Sequence, residues 1–232
     1  MPFDIARSRI FDALTPAARD EWLSQASSRL VRRNQPLARQ GETADALYLV
    51  EQGLLKLVQV TPEGHQLIVR FVADGEPFGG VVALEGATYP VTAVAVEPTR
   101  VRLWPRATLA ALLARHPQVR TNLMREMTAH MTDALIRVRE LATERVGQRL
   151  AHTLLRLGRQ VGQPTAEGLL LRHALTRQEL AELTGTTLYT VSRVLSQWQE
   201  AGVILSRGRK LLLQSVPRLQ AIADGAGEPA DE

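Results

Sequence analysis

Between Leu30 and Trp104 the hydrophobic positions come in short runs that alternate, or nearly alternate, with polar ones. The runs are Leu47-Tyr48-Leu49-Val50, Leu55-Lys56-Leu57-Val58, Leu67-Ile68-Val69, residues 91–96 and Val101-Arg102-Leu103. Turn-forming residues separate them at Gly41, Gly53, Pro62-Glu63-Gly64, Asp74-Gly75 and Glu97-Pro98. Runs of this length bounded by Gly, Pro and Asp are strands, and many short strands at regular spacing predict an antiparallel barrel or roll. Upstream the texture differs: Ile10, Leu14 and Trp22-Leu23 fit a short helical segment, with Thr15-Pro16 as its start.

After Pro105 the period becomes helical. From Arg120 the residues Arg120, Met124, Met127, Met131, Ala134, Val138, Leu141 and Arg145 follow one another at alternating intervals of four and three. That interval gives a long helix with a narrow apolar stripe, which requires a partner helix. The natural partner is the same helix of a second copy across a two-fold axis, with Met124, Met127, Met131, Ala134, Val138 and Leu141 as the seam. Leu123, Leu135 and Ile136 supply a second apolar edge that would pack the helix back on the roll. A further helix over 146–160 then leads through a Gly/Pro-containing linker, 161–168.

The sharpest local pattern is TRQELAELTGTTLYTVSRVLSQWQEAGVI, residues 176–204. Leu180, Ala181 and Leu183 form one apolar edge, and Leu188, Val191, Val194 and Leu195 repeat at helical spacing. The spacing predicts a first helix from near Arg177 to Gly185 and a second that follows Thr187. Thr176 and Glu179 make a capping box, Thr187 can cap the second helix, and Ala181 with Gly185 allows a tight crossing. This is a helix-turn-helix. It leaves Leu188, Tyr189, Ser192, Arg193 and Gln197 on the outer face, where Arg193 can pair with guanine O6 and N7 in a major groove. Two short apolar runs, Val203-Ile204-Leu205 and Leu211-Leu212-Leu213, flank Ser206-Arg207-Gly208-Arg209-Lys210 and predict a two-stranded wing whose basic tip suits phosphates.

Charge agrees. The chain is +4 overall, yet residues 145–222 hold eleven Arg or Lys against four Glu, so the positive charge is concentrated where the helix-turn-helix lies. The tail, 224–232, is acidic. The absence of cysteine excludes a disulfide framework, a thiolate metal site, a cysteine-ligated iron–sulfur cluster and a cysteine nucleophile. No apolar run reaches membrane-spanning length and the first residues lack a signal-peptide core, so a cytoplasmic location without membrane association is expected. No paired-carboxylate, G-x-S-x-G, H-E-x-x-H or P-loop motif occurs, so catalysis is not expected.

The order of roll, long helix and winged helix-turn-helix resembles the CRP/FNR superfamily of bacterial transcription regulators. Its carriers are GETADALYLVEQGLLKL at 41–57, similar to the opening of cyclic-nucleotide-binding rolls, and LTRQELAELTGTTLYTVSRVL at 175–195. The resemblance implies an α+β chain: a jelly-roll-like sensor domain over 1–117, a dimerisation helix over 118–144, a DNA-binding domain over 145–223 and a flexible tail over 224–232. It implies that a signal reorients the DNA-binding domains, so that a homodimer grips a two-fold symmetric operator of double-stranded DNA and contacts RNA polymerase. Arg177 and Gln178, at the mouth of the first helix, and Thr187 join the outer-face residues and Arg207, Arg209 and Lys210 as DNA contacts.

The resemblance also places an effector pocket at Phe78, Gly79, Gly80, Val81, Tyr89, Val91 and Thr92. Cyclic-AMP-responsive members carry a Glu and an Arg in this cassette, for the ribose and the cyclic phosphate. Here the stretch reads FGGVVALEGATYPVTAVAV, with Gly80 in place of the Glu and Tyr89-Pro90-Val91 in place of the Arg. A buried phosphate would lack its charged partner, so cyclic AMP is not expected as effector, and the missing cysteines exclude an iron–sulfur cluster. TPEGHQLIV (61–69) and TYPVTAVAV (88–96) are more similar to the nitrogen-oxide-responsive branch, which is often linked to haem. His65, His116, His130, His152 and His173 are available, without metal-ligand spacing. Haem-dependent nitric-oxide sensing and effector-independent DNA binding are therefore the alternatives to another effector. Ser192 and Arg193 match the base-reading pair of the fumarate–nitrate branch, whereas Tyr189 stands where both branches have Glu.

Overall fold

The computed structural model describes residues 3–61, 64 and 66–226. Pro62 and Glu63 of one expected turn, His65 and residues 227–232 of the acidic tail lie outside them. The chain divides into two compact units, residues 1–133 and 134–232. The division falls within the long helix expected over 118–144.

The first unit opens with two short 3-10 turns, Ile5–Arg7 and Arg9–Phe11, and α1, Pro16–Ser24. Thr15 caps α1 by accepting from the Ala18 N–H, and Pro16 occupies its first position, where a missing N–H costs nothing. Eight strands follow: β1 (Ser27–Val31), β2 (Pro36–Ala38), β3 (Ala46–Gln52), β4 (Leu54–Val60), β5 (Gln66–Ala73), β6 (Pro77–Phe78), β7 (Thr92–Ala95) and β8 (Thr99–Pro105). A short helix, α2 (Gly80–Glu85), sits between β6 and β7. The strands form two four-stranded antiparallel sheets, ordered β1-β8-β3-β6 and β2-β7-β4-β5. Both contribute to one core, from Val31, Tyr48, Val50 and Val101 of the first sheet to Leu37, Leu55, Leu57, Ala93 and Ala95 of the second.

Strand β3 shows why LYLV is a continuous apolar run. Its even residues, Tyr48 and Val50, enter the core between the sheets, while Leu47 and Leu49 enter a second core on the opposite face. That second core joins Ile10, Phe11 and Trp22 to Trp104, Leu109, Leu112 and Leu113, the last three from α3 (Arg106–Arg115). Trp104 donates its indole N–H to the Trp22 carbonyl at 2.8 Å, with the two rings edge to face. The next helix, α4 (Pro117–Thr143), is fastened at its start by Asn122, whose amide donates to the carbonyls of Ile10 (3.0 Å) and Asp12 (2.9 Å).

Along α4 only Leu123 of the second apolar edge is buried. Leu135 and Ile136, expected to pack inward, are exposed, and they belong to the second unit, past the end of the first at residue 133.

The second unit continues with α5 (Val146–Val161), β9 (Gly162–Thr165), β10 (Gly168–Leu171), α6 (Arg177–Thr184), α7 (Leu188–Glu200), β11 (Ile204–Arg207), β12 (Lys210–Leu213) and α8 (Val216–Ala223). The segment 161–168, expected as a linker, is largely strand β9 and the turn into β10. The expected two-stranded wing is present, β11 pairing antiparallel with β12 around Gly208-Arg209, and it continues through β10 and β9 into one four-stranded sheet, with Leu169 opposite Leu213 and Leu170 opposite Leu212. Gly162 is required where α5 turns into β9, since a Cβ there would lie 2.2 Å from the Gly158 carbonyl oxygen. Among the described residues no helix is long and apolar enough to cross a membrane.

Candidate nucleic-acid interface

The geometry of residues 176–204 follows from local hydrogen bonds. The Thr176 hydroxyl accepts from the Glu179 N–H at 3.1 Å, and the Glu179 carboxylate accepts from the Thr176 N–H at 2.9 Å, so the expected capping box is complete. Gly185 ends α6 at φ +62°, donating to the Ala181 carbonyl. A side chain at this left-handed position would be strained. Thr187 Oγ1 accepts from the Thr190 N–H at 3.1 Å and caps α7, which starts at the next residue, Leu188.

The two faces of α7 then diverge. Val191, Val194, Leu195 and Trp198 are buried against the unit. Leu188 and Tyr189 are 48% and 77% exposed, Arg193 and Gln197 are exposed, and Ser192 is half-buried. An aromatic ring so exposed contributes nothing to the core. Ser196 is exposed as well, one turn beyond Ser192. Nothing in the sequence sets this serine apart from other polar surface residues.

A cleft of about 350 Å³ brings Arg177, at the first turn of α6, together with Arg209 and Lys210 of the wing. These three expected phosphate contacts thus share one location although more than thirty residues separate them in sequence. Gln178 is placed differently, donating its amide to Glu182 at 2.9 Å along the helix surface. Arg207 is paired with Glu167, from the turn before β10, which holds its guanidinium at the sheet.

The end of α4 is tied to this motif by charged groups. Arg156 of α5 grips Glu140, which is 2% exposed, through two bonds of 2.6 and 2.9 Å. Arg149 donates to the carbonyls of Glu144 (2.7 Å) and Thr184 (3.2 Å), joining the residues after α4 to the end of α6. Leu141 lies over the turn, 2.9 Å from where a Cβ on Gly185 would be. None of these links was visible as a motif, because each is a pairing between residues far apart in sequence.

The expected seam residues stand clear of both cores. Met124, Met127 and Met131 are exposed in the first unit and Ala134, Val138 and Leu141 in the second, with Met131 at 67% and Val138 at 62%.

The expected effector pocket has a different fate. Phe78 and Tyr89 are buried and stacked at 5.3 Å, and Phe78 stacks in turn on Tyr48 at 6.2 Å. Val91 joins the same core, Val81 packs towards the other one, and Thr92 accepts from the Gln40 N–H at 3.0 Å. Gly79, at φ +83°, caps α2, and a Cβ at Gly80 would lie 2.6 Å from Leu47 Cδ1. An acidic side chain at Gly80 would therefore have to move the end of Leu47. The Tyr48 and Tyr89 hydroxyls both donate to Asp45 at 3.2 Å, and burial, ahead of their charged neighbour, holds both phenols above their ordinary range. A cleft of about 340 Å³ does open on the roll, between residues such as Arg29, Leu37, Arg39 and Glu42, but of the seven expected residues only Tyr89 lines it.

Among the described residues, of which His65 is not one, the core between the sheets offers little that could ligate haem. The core between the sheets contains no histidine or methionine among the described residues, and its two tyrosine hydroxyls are committed to Asp45. His116 Nε2 lies within hydrogen-bond distance of the Glu21 carboxylate, at 2.7 Å, and His152 lies 3.6 Å from Glu144.

Comparison with known proteins agrees with this division of the chain. A model of the cyclic nucleotide-binding domain matches residues 28–116, and a model of the Crp-like helix-turn-helix domain matches 148–222. The chain is 33% identical over 218 residues to the cyclic AMP receptor protein of Thermus thermophilus, covering 94% of this chain and 98% of that one. It is 30% identical over 202 residues to the transcriptional activator protein anr of Pseudomonas aeruginosa, covering 84% and 82%. Among solved structures, FixK2 from Bradyrhizobium japonicum superposes with a TM-score of 0.76 at 25% identity, over 88% of this chain and 99% of that one.

Proposed function

This chain belongs to the CRP/FNR family of DNA-binding transcription regulators, and from that premise we propose that it acts in the cytoplasm as a homodimer joined along α4. Each copy presents one α7 to one half of a two-fold symmetric duplex. The observation that carries this reading is the outer face of α7, where Leu188, Tyr189, Arg193 and Gln197 are exposed on a helix whose opposite face is fully packed.

Arg193 supplies a bidentate donor for guanine, and Ser192 and Gln197 add shorter donors and acceptors. Tyr189 bonds a phosphate or covers a thymine methyl. Arg177, Arg209 and Lys210, gathered at one cleft, hold the flanking phosphates and fix the depth of α7, with Gln178 and Thr187 at the helix starts beside them. The exposed Met124, Met127, Met131, Ala134, Val138 and Leu141 support dimerisation, since an apolar stripe at heptad spacing is buried by pairing with a second copy. Through the Arg149 and Arg156 links, a shift of α4 in such a dimer would move the helix-turn-helix with it. Contact with RNA polymerase from the bound duplex is part of the same reading, by likeness to the family.

Cyclic AMP does not control this protein in our reading, although one relative is named for that ligand. Residues 78–92 contain no Lys or Arg, and the stacked rings of Tyr48, Phe78 and Tyr89 occupy the roll beside the cassette. Of the cations nearby, Arg106 donates to the Leu84 carbonyl at the C-terminal end of α2, where an anion is disfavoured, and Arg39 of the roll cleft is paired with Glu42. The same filling of the roll favours the second reading, DNA binding with no effector at all. Titration calorimetry with cyclic AMP, followed by operator binding of the purified protein alone, tests both. The expected results are no heat above dilution and no change of DNA affinity on adding the nucleotide. Micromolar binding of cyclic AMP overturns the reading of the cassette, and operator affinity that appears only with a small molecule added overturns the second.

A further inference from the structure

Where α4 ends, two carboxylates and an imidazole converge. The Glu144 N–H still donates to the Glu140 carbonyl at 2.9 Å, so the helical turn continues past Thr143 and the two carboxylates stand one turn apart on one side. With His152 of α5 they offer three ligand atoms that all lie within 4.8 Å of one another. Glu140 is buried and already held by Arg156. Glu144 is served less well: its Oε2 is buried with no hydrogen-bond partner, and its ion pair with Arg139, 3.7 Å from Oε1, uses a guanidinium that is 63% exposed. A carboxylate oxygen left in that state is costly. His152 Nε2 stands 3.6 Å from this Oε2, too far for a hydrogen bond. The gap is close to the roughly 3.3 Å that separates two ligand atoms held tetrahedrally at zinc–ligand bond lengths.

We propose that Glu144 and His152, with Glu140 as third ligand, hold a divalent cation of the Zn²⁺ class. An imidazole with carboxylates suits such an ion, whereas Ca²⁺ and Mg²⁺ prefer oxygen ligands alone. The ion takes the Nε2 lone pair of His152 and the orphan Oε2 of Glu144. Glu140 keeps its two bonds to Arg156 and lends a remaining lone pair, since a carboxylate accepts at about four positions. Arg156 neutralises one of the two carboxylates, so the ion meets the negative charge of the other. The bound ion staples the end of α4 to α5, both within the second unit. Helix α5 also carries Arg149, bonded to the Thr184 carbonyl at the end of α6, so the staple adjoins the frame of the helix-turn-helix. Histidine spacing does not reveal this site, because its donors are one His and two Glu on either side of a helix break. The site stands independently of the reading of α7 and is tested without DNA.

Full-length protein freed of metal by a chelator and titrated with Zn²⁺ alone, against a chromogenic competitor, should bind one ion per chain with a Kd of about 1 μM or tighter. His152→Gln and Glu144→Gln should each weaken that binding by about tenfold or more, whereas His116→Gln, in the first unit, should leave it unchanged. Zn²⁺ should also raise the thermal midpoint of the second unit in the wild type and not in His152→Gln. In the unaltered protein, the imidazole nitrogen resonances of His152, assigned through bonds from its backbone, should shift on adding one equivalent. No stoichiometric binding, or shifts confined to other histidines, overturns the proposal. Affinity that changes alike in all three variants, or in none, means an adventitious ion only and overturns it too.

Discussion

The roll and the helix-turn-helix unit treat their characteristic residues in opposite ways. In the second unit the residues that mark the motif are left outside: Tyr189, Arg193 and Gln197 face solvent on a helix whose packing is done by other positions. In the first unit the residues that mark the cassette have been drawn into the core, where Phe78, Tyr89 and Val91 pack as ordinary hydrophobic side chains. A binding face on a helix surface can keep its chemistry while the sequence around it changes, because its neighbours do not depend on it. A site inside a roll shares its walls with the core, so a change in one of its side chains also changes the packing around it.

The largest effect expected from breaking this contrast is at the seam. Met131→Glu places two like charges near the dimer axis, and sedimentation should show monomers that no longer bind operator. A dimer of unchanged stability would assign the stripe to another contact.

The tie between α4 and the motif should come next. Arg156→Ala strands the buried Glu140 carboxylate and should destabilise the second unit by about 3–5 kcal/mol, read from the denaturation of that unit. Replacing both partners, Arg156→Met with Glu140→Leu, should recover most of that loss.

Restoring the cassette is the converse test. Gly80→Glu must displace Leu47 and should cost about 1–3 kcal/mol of stability in the first unit without creating cyclic AMP affinity. A stable variant that binds the nucleotide would mean that the roll opens readily. At the wing, Arg209→Ala or Lys210→Ala should weaken binding to all sequences alike and lower the salt slope by about one. The wing variants sharpen the comparison, because they touch affinity and leave specificity alone.

These regions also differed in how far the sequence could be read. The capping box, Gly185 and the two faces of α7 were legible because each depends on residues within a few positions of one another. The strands of the roll were legible from alternation and turn residues. The helix α2 was not, since six residues between Gly79 and Gly86 are too few to show a period. Strand β9 was hidden by Gly162 and Pro164, which read as a linker until β10 pairs with it and with β12. Departures from the family pattern at Gly80 and Tyr89 were visible, but their meaning was not. The stacking of Phe78 between Tyr48 and Tyr89 joins three separate segments and could not be read from any one of them.

The central claim, that the outer face of α7 reads bases in a symmetric dimer, is tested most directly by selection from random duplexes. Wild type, Arg193→Ala and Tyr189→Glu should be run in parallel. The account predicts an inverted repeat for wild type with half-sites about one helical turn apart. Arg193→Ala should lose preference at one guanine per half-site, at a cost of about 1–3 kcal/mol. Tyr189→Glu should shift the neighbouring position towards cytosine. Enrichment of one and the same motif by all three proteins, or of no symmetric motif by the wild type, would contradict it.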